Sequence, residues 1–466
     1  MNAGHFDALV VGSGPAGSIA ATVLARGGAR VALVDKAKFP RDKACGDLVG
    51  PRGVQLLTDL GIAIRGAMTV GDMNVVGPTS HRVRLPCFSG RTYPGHALAL
   101  PRVDFDAALH EAAVGAGAEA FVGRAAEPLW GDGGLEGFSL STGTDLRADI
   151  IIGADGASSR VAAAADLVDP RRVLWGFAVR AYVDEGVDLP HIVLWERTPW
   201  RAFPGYGWLF PGPDGRANLG LGLGTLSTRA GAATAARELP AFVRTLCERG
   251  LLGCAAPAPT LGGWLKLGMV GTNPARGRVL LTGDAAGLVN PLQGEGISQA
   301  MSSGRAAAQA ALGDPAQAAR RYRAYLANTY APYHSMTAPA HRALLPRPRV
   351  VSAVGRVLTA PALGSLLAPG WSIFWNDLLD GAQPTMPRAV AAVAAGIGRS
   401  AAARGRMREW FTATLGPGSG REASSGSPPQ ERVSDTPSPD RASSNNPTGD
   451  GSTTTPPPTT NNTSAA

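Results

Sequence analysis

The residues with the most definite chemical meaning lie within the first 35 positions of the chain. The stretch GSGPAG occupies residues 12–17, and Asp35 follows eighteen residues after its last glycine. In such a stretch Gly12 allows a tight turn, Gly14 lets the backbone approach a pyrophosphate, and Gly17 lets a helix pack closely on a strand. The helix start offers free N–H groups to phosphates, and Asp35 is placed to accept from ribose hydroxyls. The spacing predicts a dinucleotide site.

Two later motifs indicate which dinucleotide is bound. Each is an apolar run that ends in an acid, Asp155 followed by Gly156 in the first and Asp284 in the second. Asp284 can accept from the ribityl chain of a flavin. Residues 294–297 begin a predicted helix, whose N–H groups can face the electron-rich edge of a reduced isoalloxazine. These features favour FAD over NAD.

The hydrophobic pattern predicts the elements that position these residues. A strand at 6–11, a helix at 16–26 and a strand at 30–34 form a βαβ unit. Residues 172–224 contain short β-branched and aromatic runs separated by turns, which indicates an antiparallel sheet. The other elements predicted are a strand at 278–282 and helices at 298–312, 316–345 and 387–411.

Taken together, the motifs resemble the FAD-dependent hydroxylase superfamily. Two further stretches resemble its geranylgeranyl reductase branch, namely FPRDKACGD at 39–47 and PGYGWLFP at 204–211 with ANLGLG after it. The matches cover roughly residues 6–310. Members of this branch saturate isolated double bonds of prenyl chains on chlorophyll precursors, archaeal lipids and menaquinone, and others serve natural-product pathways.

The resemblance implies roles for particular residues. Arg102 matches the family arginine that contacts FAD, and a guanidinium fork suits the phosphate and ribose region. Cys45 and Gly46 match a loop along the flavin, where the Cys45 thiol would shape the pocket or help deliver a proton. Tyr206 is the second candidate for the catalytic proton donor. The predicted cofactor-binding residues are Gly12, Gly14, Pro15, Ala16, Gly17, Asp35, Lys36, Cys45, Gly46, Leu48, Arg102, Ala126, Asp155, Gly156, Asp284, Gly294, Gly296 and Ile297.

Three aromatic residues are the predicted substrate-binding side chains. Tyr206, Trp208 and Phe210 alternate on one predicted strand, so they point to one face. That face would line an apolar tunnel for an isoprenoid, although plain core packing would give the same alternation.

Two segments depart from the family pattern, and both flank the substrate side. Residues 45–50 read CGDLVG where many members have a more Gly-rich run, and residues 263–268 read GWLKLG in place of a Leu-Pro-x-Gly-Gly-like segment. A second dinucleotide fingerprint is absent, because the glycines at 220–224 lie at a strand end with no helical pattern after them. NAD(P)H therefore binds transiently, or another donor supplies the electrons.

The predicted fold class is α/β, with an α+β substrate part. We expect a discontinuous Rossmann-like FAD-binding domain from residues 1–78, 100–170 and 270–315, and an antiparallel substrate domain from residues 79–99 and 171–269. A helical region at 316–416 and a disordered tail rich in Ser, Thr and Pro at 417–466 complete the chain, because the tail lacks the apolar residues that form a core.

Composition narrows the class of protein. Of the 466 residues 44% are hydrophobic and 17% are charged, which excludes global disorder. The four cysteines form no CxxC pair, so we expect a cytoplasmic protein without a zinc site or disulfides. The net charge of +8 comes with no cluster of base-reading residues, so no nucleic-acid partner is expected. The sequence leaves the oligomeric state undetermined.

The C-terminal region has a cationic pattern of its own. Arginines between positions 388 and 408 accompany apolar residues at partly helical spacing. The pattern suits peripheral contact with the cytoplasmic membrane. It equally suits a core-packed helix with solvated arginines. Pro361 and Pro369 interrupt the longest uncharged run, so no spanning helix is expected.

The leading hypothesis is a FAD-dependent oxidoreductase that saturates a carbon–carbon double bond of a prenyl chain in a hydrophobic substrate. Hydride would come from reduced FAD, and the proton from Cys45, Tyr206 or a trapped water. A flavin monooxygenase acting on an aromatic or polyketide ring is the first alternative. A flavin halogenase would need a lysine near the substrate, and three of the four lysines cluster at 36–43 on the FAD side. A flavin-binding redox accessory protein is the non-enzyme alternative.

Overall fold

In the computed structural model the first 35 residues form the predicted βαβ unit. Strand β1 (Asn2–Val11) leads into helix α1 (Pro15–Arg26) and strand β2 (Val31–Asp35). Strand β1 lies between β2 and β11 (Asp145–Gly153) and is parallel to both. The apolar side chains of the three strands are buried almost throughout, as expected for parallel strands covered on both faces.

The structure describes residues 2–194, 205–225, 228–253, 256–258, 260–291, 293–331, 334, 347–371, 389, 392, 393 and 396. The predicted tail at 417–466 and the arginines at 388–408 lie outside the described residues. Among the helices of the described part, none is long and apolar enough to cross a bilayer.

Within the described residues, the first sheet has eight strands. Its main path is β17–β18–β11–β1–β2–β8, and β10 and β9 extend it from β11 as an antiparallel pair. Its strands come from three separate stretches of chain, which agrees with the predicted discontinuous Rossmann-like fold. The strands not yet given are β8 (Glu119–Val122), β9 (Ala125–Gly131), β10 (Gly134–Leu140), β17 (Ala275–Arg276) and β18 (Val279–Leu281).

The second sheet confirms the antiparallel prediction. In the described part of the chain it has seven strands in the order β16–β12–β15–β14–β13–β5–β6, and only the β13–β5 pair is parallel. Its strands are β5 (Met73–Val76), β6 (Arg82–Leu85), β12 (Leu174–Val183), β13 (His191–Val193), β14 (Gly205–Pro211), β15 (Ala217–Thr225) and β16 (Leu261–Leu267).

The prediction that no helix follows the glycines at 220–224 was wrong. Helix α5 (Thr228–Glu248) begins directly after β15 and covers one face of the second sheet. Its buried Leu239, Phe242 and Leu246 follow helical spacing. The signal was hidden because the first half of the helix is rich in alanine and carries little hydrophobic periodicity.

A small third sheet and further helices complete the described chain. The third sheet joins β3 (Leu48–Val49), β7 (Ala97–Ala99) and β4 (Met68–Val70). Strand β5 pairs in the second sheet, although its residues lie in the stretch that the sequence assigns to the FAD-binding domain. The domain bounds stay a prediction. The helices not yet given are α2 (Pro51–Asp59), α3 (Arg102–Gly115), α4 (Arg160–Ala164), α6 (Ile297–Leu312), α7 (Ala318–Thr329), α8 (Pro348–Leu358) and α9 (Pro361–Trp371).

The two glycines at the start of α1 should respond differently to substitution. A Cβ at Gly17 would lie 1.7 Å from the Gly12 carbonyl oxygen, whereas a Cβ at Gly14 would have the Arg41 guanidinium, at 3.6 Å, as its nearest neighbour. We therefore expect Gly17→Ala to lower the melting temperature by several degrees. Gly14→Val should keep the fold but lose bound flavin, because its side chain would fill the space above the turn.

Melting temperature and the ratio of flavin to protein after desalting check both expectations. Gly14→Val with full flavin content would contradict the assignment of this turn to a pyrophosphate.

Candidate functional site

A cavity of about 650 Å³ lies between the βαβ side of the molecule and the second sheet. This volume is in the range typical of ligand sites, about 300–1,000 Å³. Its walls include Pro15 at the start of α1, the loop 42–46, and residues of β12, β14, β15 and β16. The predicted turn and the predicted substrate strand therefore contribute to one cavity.

The aromatic residues of β14 form one wall of this cavity. Tyr206, Trp208 and Phe210 share a face of the strand, as the alternation predicts. The ring centroids of Tyr206 and Trp208 lie 6.3 Å apart, as do those of Trp208 and Phe210. Their role in binding substrate stays a prediction.

The glycines of β15 make room for that wall. The leucines of the GLGLG stretch face the core against α5, and the glycines alternate with them on the cavity side. A Cβ at Gly220 would lie 2.3 Å from the Trp208 indole. The stretch is therefore a surface on which an aromatic ring packs, with no dinucleotide turn in it.

The loop that carries Cys45 lies directly against the aromatic wall. A Cβ at Gly46 would come within 2.8 Å of the Phe210 ring. Asp47 follows with a φ of 63°, a left-handed conformation that a non-glycine residue rarely adopts. The Asp47 N–H donates to the Cys45 thiol at 3.4 Å. The loop geometry thus fixes both the thiol and the next carboxylate.

Asp47 joins this loop to the second sheet. Its buried carboxylate accepts hydrogen bonds from the Tyr182 hydroxyl, from the Asn218 side-chain amide at 2.7 Å, and from the Arg102 backbone N–H at 3.2 Å. Burial raises the pKa of Asp47 to about 6, although these donors and the nearby arginines oppose the shift. A buried carboxylate is costly to desolvate, and the three hydrogen bonds offset that cost only while Asp47 stays in this position.

Asn218 on β15 extends the same network in two directions. Its amide group also donates to the Cys45 carbonyl at 2.8 Å, and its carbonyl oxygen accepts from the Trp208 indole N–H at 2.8 Å. One side chain therefore links the Cys45 loop, Asp47 and the aromatic wall. Every polar atom of the Asn218 amide group has a partner in this network.

Next to Cys45 lies a cluster of charged side chains formed by Arg102, Asp106 and Arg41. The Arg102 guanidinium forms two hydrogen bonds to Asp106, at 2.6 and 2.7 Å, and Arg41 donates to the same carboxylate at 2.7 Å. Burial alone would raise the pKa of Asp106, but the two arginines hold it below its ordinary value. Burial raises the pKa of the Cys45 thiol, and the adjacent Arg102 only partly offsets this. The thiol is therefore protonated at neutral pH.

This placement bears on the predicted role of Arg102. The side chain lines the cavity, but Asp106 and Cys45 already engage its guanidinium. Its contact with FAD stays a prediction. Arg41, which the sequence analysis did not select, lies 3.6 Å from where a Gly14 Cβ would be and 3.7 Å from Asp35. Arg41 thus places a cation beside the predicted pyrophosphate turn.

At the nucleotide end, Asp35 holds the turn together. Its two carboxylate oxygens accept from the backbone N–H groups of Ser13 and Ala37 at 2.9 and 3.0 Å. The Ser13 hydroxyl bonds the imidazole of His110 at 2.7 Å, and that ring stacks on Phe39 at 4.4 Å. Asp35 thus has a structural role beside its predicted contact with ribose.

Asp284 and the start of α6 form another part of the cavity wall. The Lys43 ammonium lies 3.7 Å from the Asp284 carboxylate. Helix geometry leaves the N–H groups at positions 296 and 297 without an intrahelical acceptor, whereas the Ser298 N–H donates to the Glu295 carboxylate at 2.8 Å. The Tyr206 hydroxyl donates to the Gln293 carbonyl, and burial raises the Tyr206 pKa.

The predicted site residues fall into two groups. Those that line the cavity are Pro15, Cys45, Gly46, Leu48, Arg102, Tyr206, Trp208, Phe210, Asp284, Gly294, Gly296 and Ile297. Those that lie outside its lining are Gly12, Gly14, Ala16, Gly17, Asp35, Lys36, Ala126, Asp155 and Gly156. Asp155 accepts from the Ser159 hydroxyl and from the Arg160 N–H at 2.6 Å, so its visible role is to begin α4.

The residues fit FAD. The turn is open above Gly14, Asp35 ends the second strand, and the cavity continues past Pro15 and Asp284 to the aromatic wall. Sequence reasoning missed Asp47, Tyr182 and Asn218. Asp47 and Asn218 stand within stretches that carry the family resemblance, which was the available signal, whereas Tyr182 has no distinguishing neighbours in the sequence.

Comparison with known proteins agrees with this geometry. The family described as FAD binding domain matches residues 5–173. The structure resembles a geranylgeranyl bacteriochlorophyll reductase-like protein from Thermoplasma acidophilum, with a TM-score of 0.66 and 23% identity over 84% of this chain and 99% of that chain. It also resembles a flavin-dependent brominase, with a TM-score of 0.61 and 18% identity over 85% of this chain and 100% of the brominase. These structural likenesses establish the fold.

Sequence relatives are more specific. The chain is 35% identical over 316 residues to menaquinone reductase of Mycolicibacterium smegmatis, which covers 65% of this chain and 75% of that protein. It is 31% identical to digeranylgeranylglycerophospholipid reductase 2 of Methanopyrus kandleri, over 66% of this chain and 77% of that protein. With the FAD-binding match at its start, the chain therefore belongs to the geranylgeranyl reductase family of FAD-dependent oxidoreductases.

Proposed function

We propose that this enzyme saturates a carbon–carbon double bond in the prenyl chain of a hydrophobic substrate. The observation that carries the proposal is that Asp284, the start of α6 and the aromatic wall all line one and the same cavity. The names of its relatives, which are reductases of menaquinone and of geranylgeranyl compounds, support the same reaction class.

Different residues would bind different parts of the cofactor. The turn at 12–17 and Arg41 would hold the pyrophosphate, Asp35 the ribose, and Asp284 with the first N–H groups of α6 the flavin end. When bound, reduced FAD supplies the hydride. NAD(P)H or another reductant would supply its electrons.

The cavity wall favours a long apolar substrate over a compact polar one. Beside the aromatic wall it includes Leu261 and Leu265, and Gly222 and Gly224 lower the sheet surface there because they carry no side chain. A compact aromatic substrate would need a short pocket with several polar anchors. A flexible chain needs only apolar surface and excluded water.

Two groups at the cavity can supply the proton. The Cys45 thiol and the Tyr206 hydroxyl both keep their protons at neutral pH, because burial raises both pKa values. An isolated alkene accepts hydride poorly, so a proton must be delivered to the second carbon in the same geometry. The Tyr206 proton is directed at the Gln293 carbonyl, whereas the Cys45 thiol accepts from the backbone of its own loop.

The fourth lysine does not provide the group that a halogenase would need. Lys266 is fully buried, and its ammonium donates to the Ala285 carbonyl at 2.6 Å. Burial lowers its pKa to about 8. Its amine therefore forms a hydrogen bond to the backbone that follows β18 and is not directed at the aromatic wall.

The product of anaerobic turnover tests the proposed reaction. The purified flavoprotein, an excess of reductant and a prenyl quinone should give a product two hydrogens heavier than the substrate. Because the ring alone could be reduced, the extract is exposed to air before mass spectrometry, which returns the ring to the quinone and leaves a saturated chain unchanged. A product one oxygen heavier, formed only in air, would overturn the proposal in favour of a monooxygenase.

Truncation of the aromatic wall should affect turnover and leave the cofactor in place. Trp208→Ala removes a large buried aromatic that packs on Gly220, so we expect a stability cost of about 3–5 kcal/mol and a loss of prenyl turnover. Trp130→Ala is the matched control, because Trp130 is 56% exposed on β9. Turnover at 20 °C, flavin content and melting temperature are measured for both variants. Unchanged turnover in a folded Trp208→Ala protein would contradict the assignment of this wall to the substrate.

A further inference from the structure

Helix α8 carries its apolar side chains on the face that is exposed. Val350, Val354 and Val357 follow the i, i+4, i+7 spacing of one helical stripe and are 47%, 48% and 52% exposed. In a globular protein such a stripe normally faces the core. Here the stripe faces outward, which calls for a partner.

Helix α9 packs against α8 and carries further large apolar side chains. Leu363 and Leu366, three residues apart on the next helix, are also largely exposed. We call the five side chains the valine–leucine face; it consists of Val350, Val354, Val357, Leu363 and Leu366.

The opposite side of the two helices is made of small residues that pack on the second sheet. A Cβ at Gly355 would lie 3.3 Å from Leu194, and a Cβ at Gly364 would lie 2.7 Å from Val83. Ala368 is buried against Val83 and Leu85 of β6. The small residues of each helix therefore pack on the sheet, and the large apolar side chains are left facing outward.

The same two helices form part of the cavity wall. Leu358 at the end of α8 and Thr359 directly after it line the cavity, and so does Gly364 in the first turn of α9. The valine–leucine face therefore belongs to helices that also border the space in which the substrate is proposed to bind.

The charge of this segment is of one sign. Residues 347–371 contain Arg347, Arg349 and Arg356 and no Asp or Glu. Exposed apolar side chains beside arginines are typical of helices that lie in the interface of an anionic bilayer.

We propose that the valine–leucine face docks on an anionic lipid bilayer, so that a lipid-dissolved substrate passes from the membrane into the cavity between α8 and α9. The docking surface stands on the exposure and charge of the two helices, and only the substrate's path rests on the proposed function.

Flotation with vesicles tests the surface without any turnover. The full-length flavoprotein is mixed with vesicles of phosphatidylcholine alone or of phosphatidylcholine with phosphatidylglycerol, at low and high salt. We expect flotation with the anionic vesicles that weakens as salt increases. Val354→Asp and Leu366→Asp should each weaken binding at least about tenfold, because each removes apolar contact and adds repulsion.

Val114→Asp is the matched control. Val114 lies on helix α3 and is 43% exposed. Its replacement by Asp adds the same charge to a half-exposed helical position outside the valine–leucine face. It should float like the wild type. Melting temperatures of all variants should lie within about two degrees of the wild type, because about half or more of each substituted side chain is exposed.

Four results would overturn the proposal. Wild-type protein that floats with neither vesicle type has no bilayer contact, and equal flotation of all variants places the contact elsewhere. A dimer that Val354→Asp dissociates, or a melting temperature several degrees lower, shows that a second copy or another part of the chain covers the face.

A parallel assay separates this proposal from the proposed reaction. Val354→Asp should slow turnover of a prenyl quinone embedded in anionic vesicles and leave turnover of the same compound in detergent unchanged. If no prenyl compound is turned over in either form while the flotation results hold, the reaction is wrong and the docking surface stands.

Discussion

A buried carboxylate, Asp47, connects the two halves of the site. The loop that bears it belongs to the FAD-binding side of the molecule, and two of its three donors, Tyr182 and Asn218, come from the second sheet. Hydrogen bonds to a charged group contribute about 1.5–3 kcal/mol each, and a buried carboxylate left without them is strongly destabilising. The hydrogen bonds of Asp47 therefore help to set the separation of the Cys45 thiol from the aromatic wall, which the loop alone would not fix. Arg180, which pairs with Asp42, adds a second tie between the same loop and β12.

The shape of the cavity follows from which side chains are absent as much as from which are present. Leucines on one face of β15 pack against α5, and the glycines on the other face leave a shallow channel filled in part by Trp208. The same alternation lets one strand stabilise the core and line the site. The Cys45 loop, pressed on Phe210 at Gly46, closes this channel from the FAD side. Any larger residue at 46 would require either the loop or the Phe210 ring to move.

The sequence predicts local features of this structure well and long-range ones poorly. The βαβ unit and the antiparallel sheet were predictable, because strand runs, glycine turns and helix starts are encoded within a few residues of each other. The Asp47–Asn218 bond joins residues 171 positions apart, and no spacing rule reveals such a pair. Arg102 shows the same limit. A guanidinium suits a phosphate, but Asp106 lies one helical turn further along α3 and already accepts hydrogen bonds from the Arg102 guanidinium. Helix α5 escaped prediction because its alanine-rich start lacks hydrophobic periodicity.

In a prenyl-chain reductase, electrons held on the flavin must reach a prenyl chain that lies in this cavity. The most direct measurement is a rapid anaerobic mixing of the reduced flavoprotein with a prenyl alcohol, which has no quinone ring that could itself oxidise the flavin. The visible absorbance of the oxidised flavin should return in step with saturation of the chain. The return should be at least about tenfold slower in Asn218→Ala at equal flavin content, because that variant frees the Cys45 loop from the aromatic wall. Reduced flavin that stays reduced with the prenyl alcohol, and is reoxidised only when oxygen is admitted, would contradict the account.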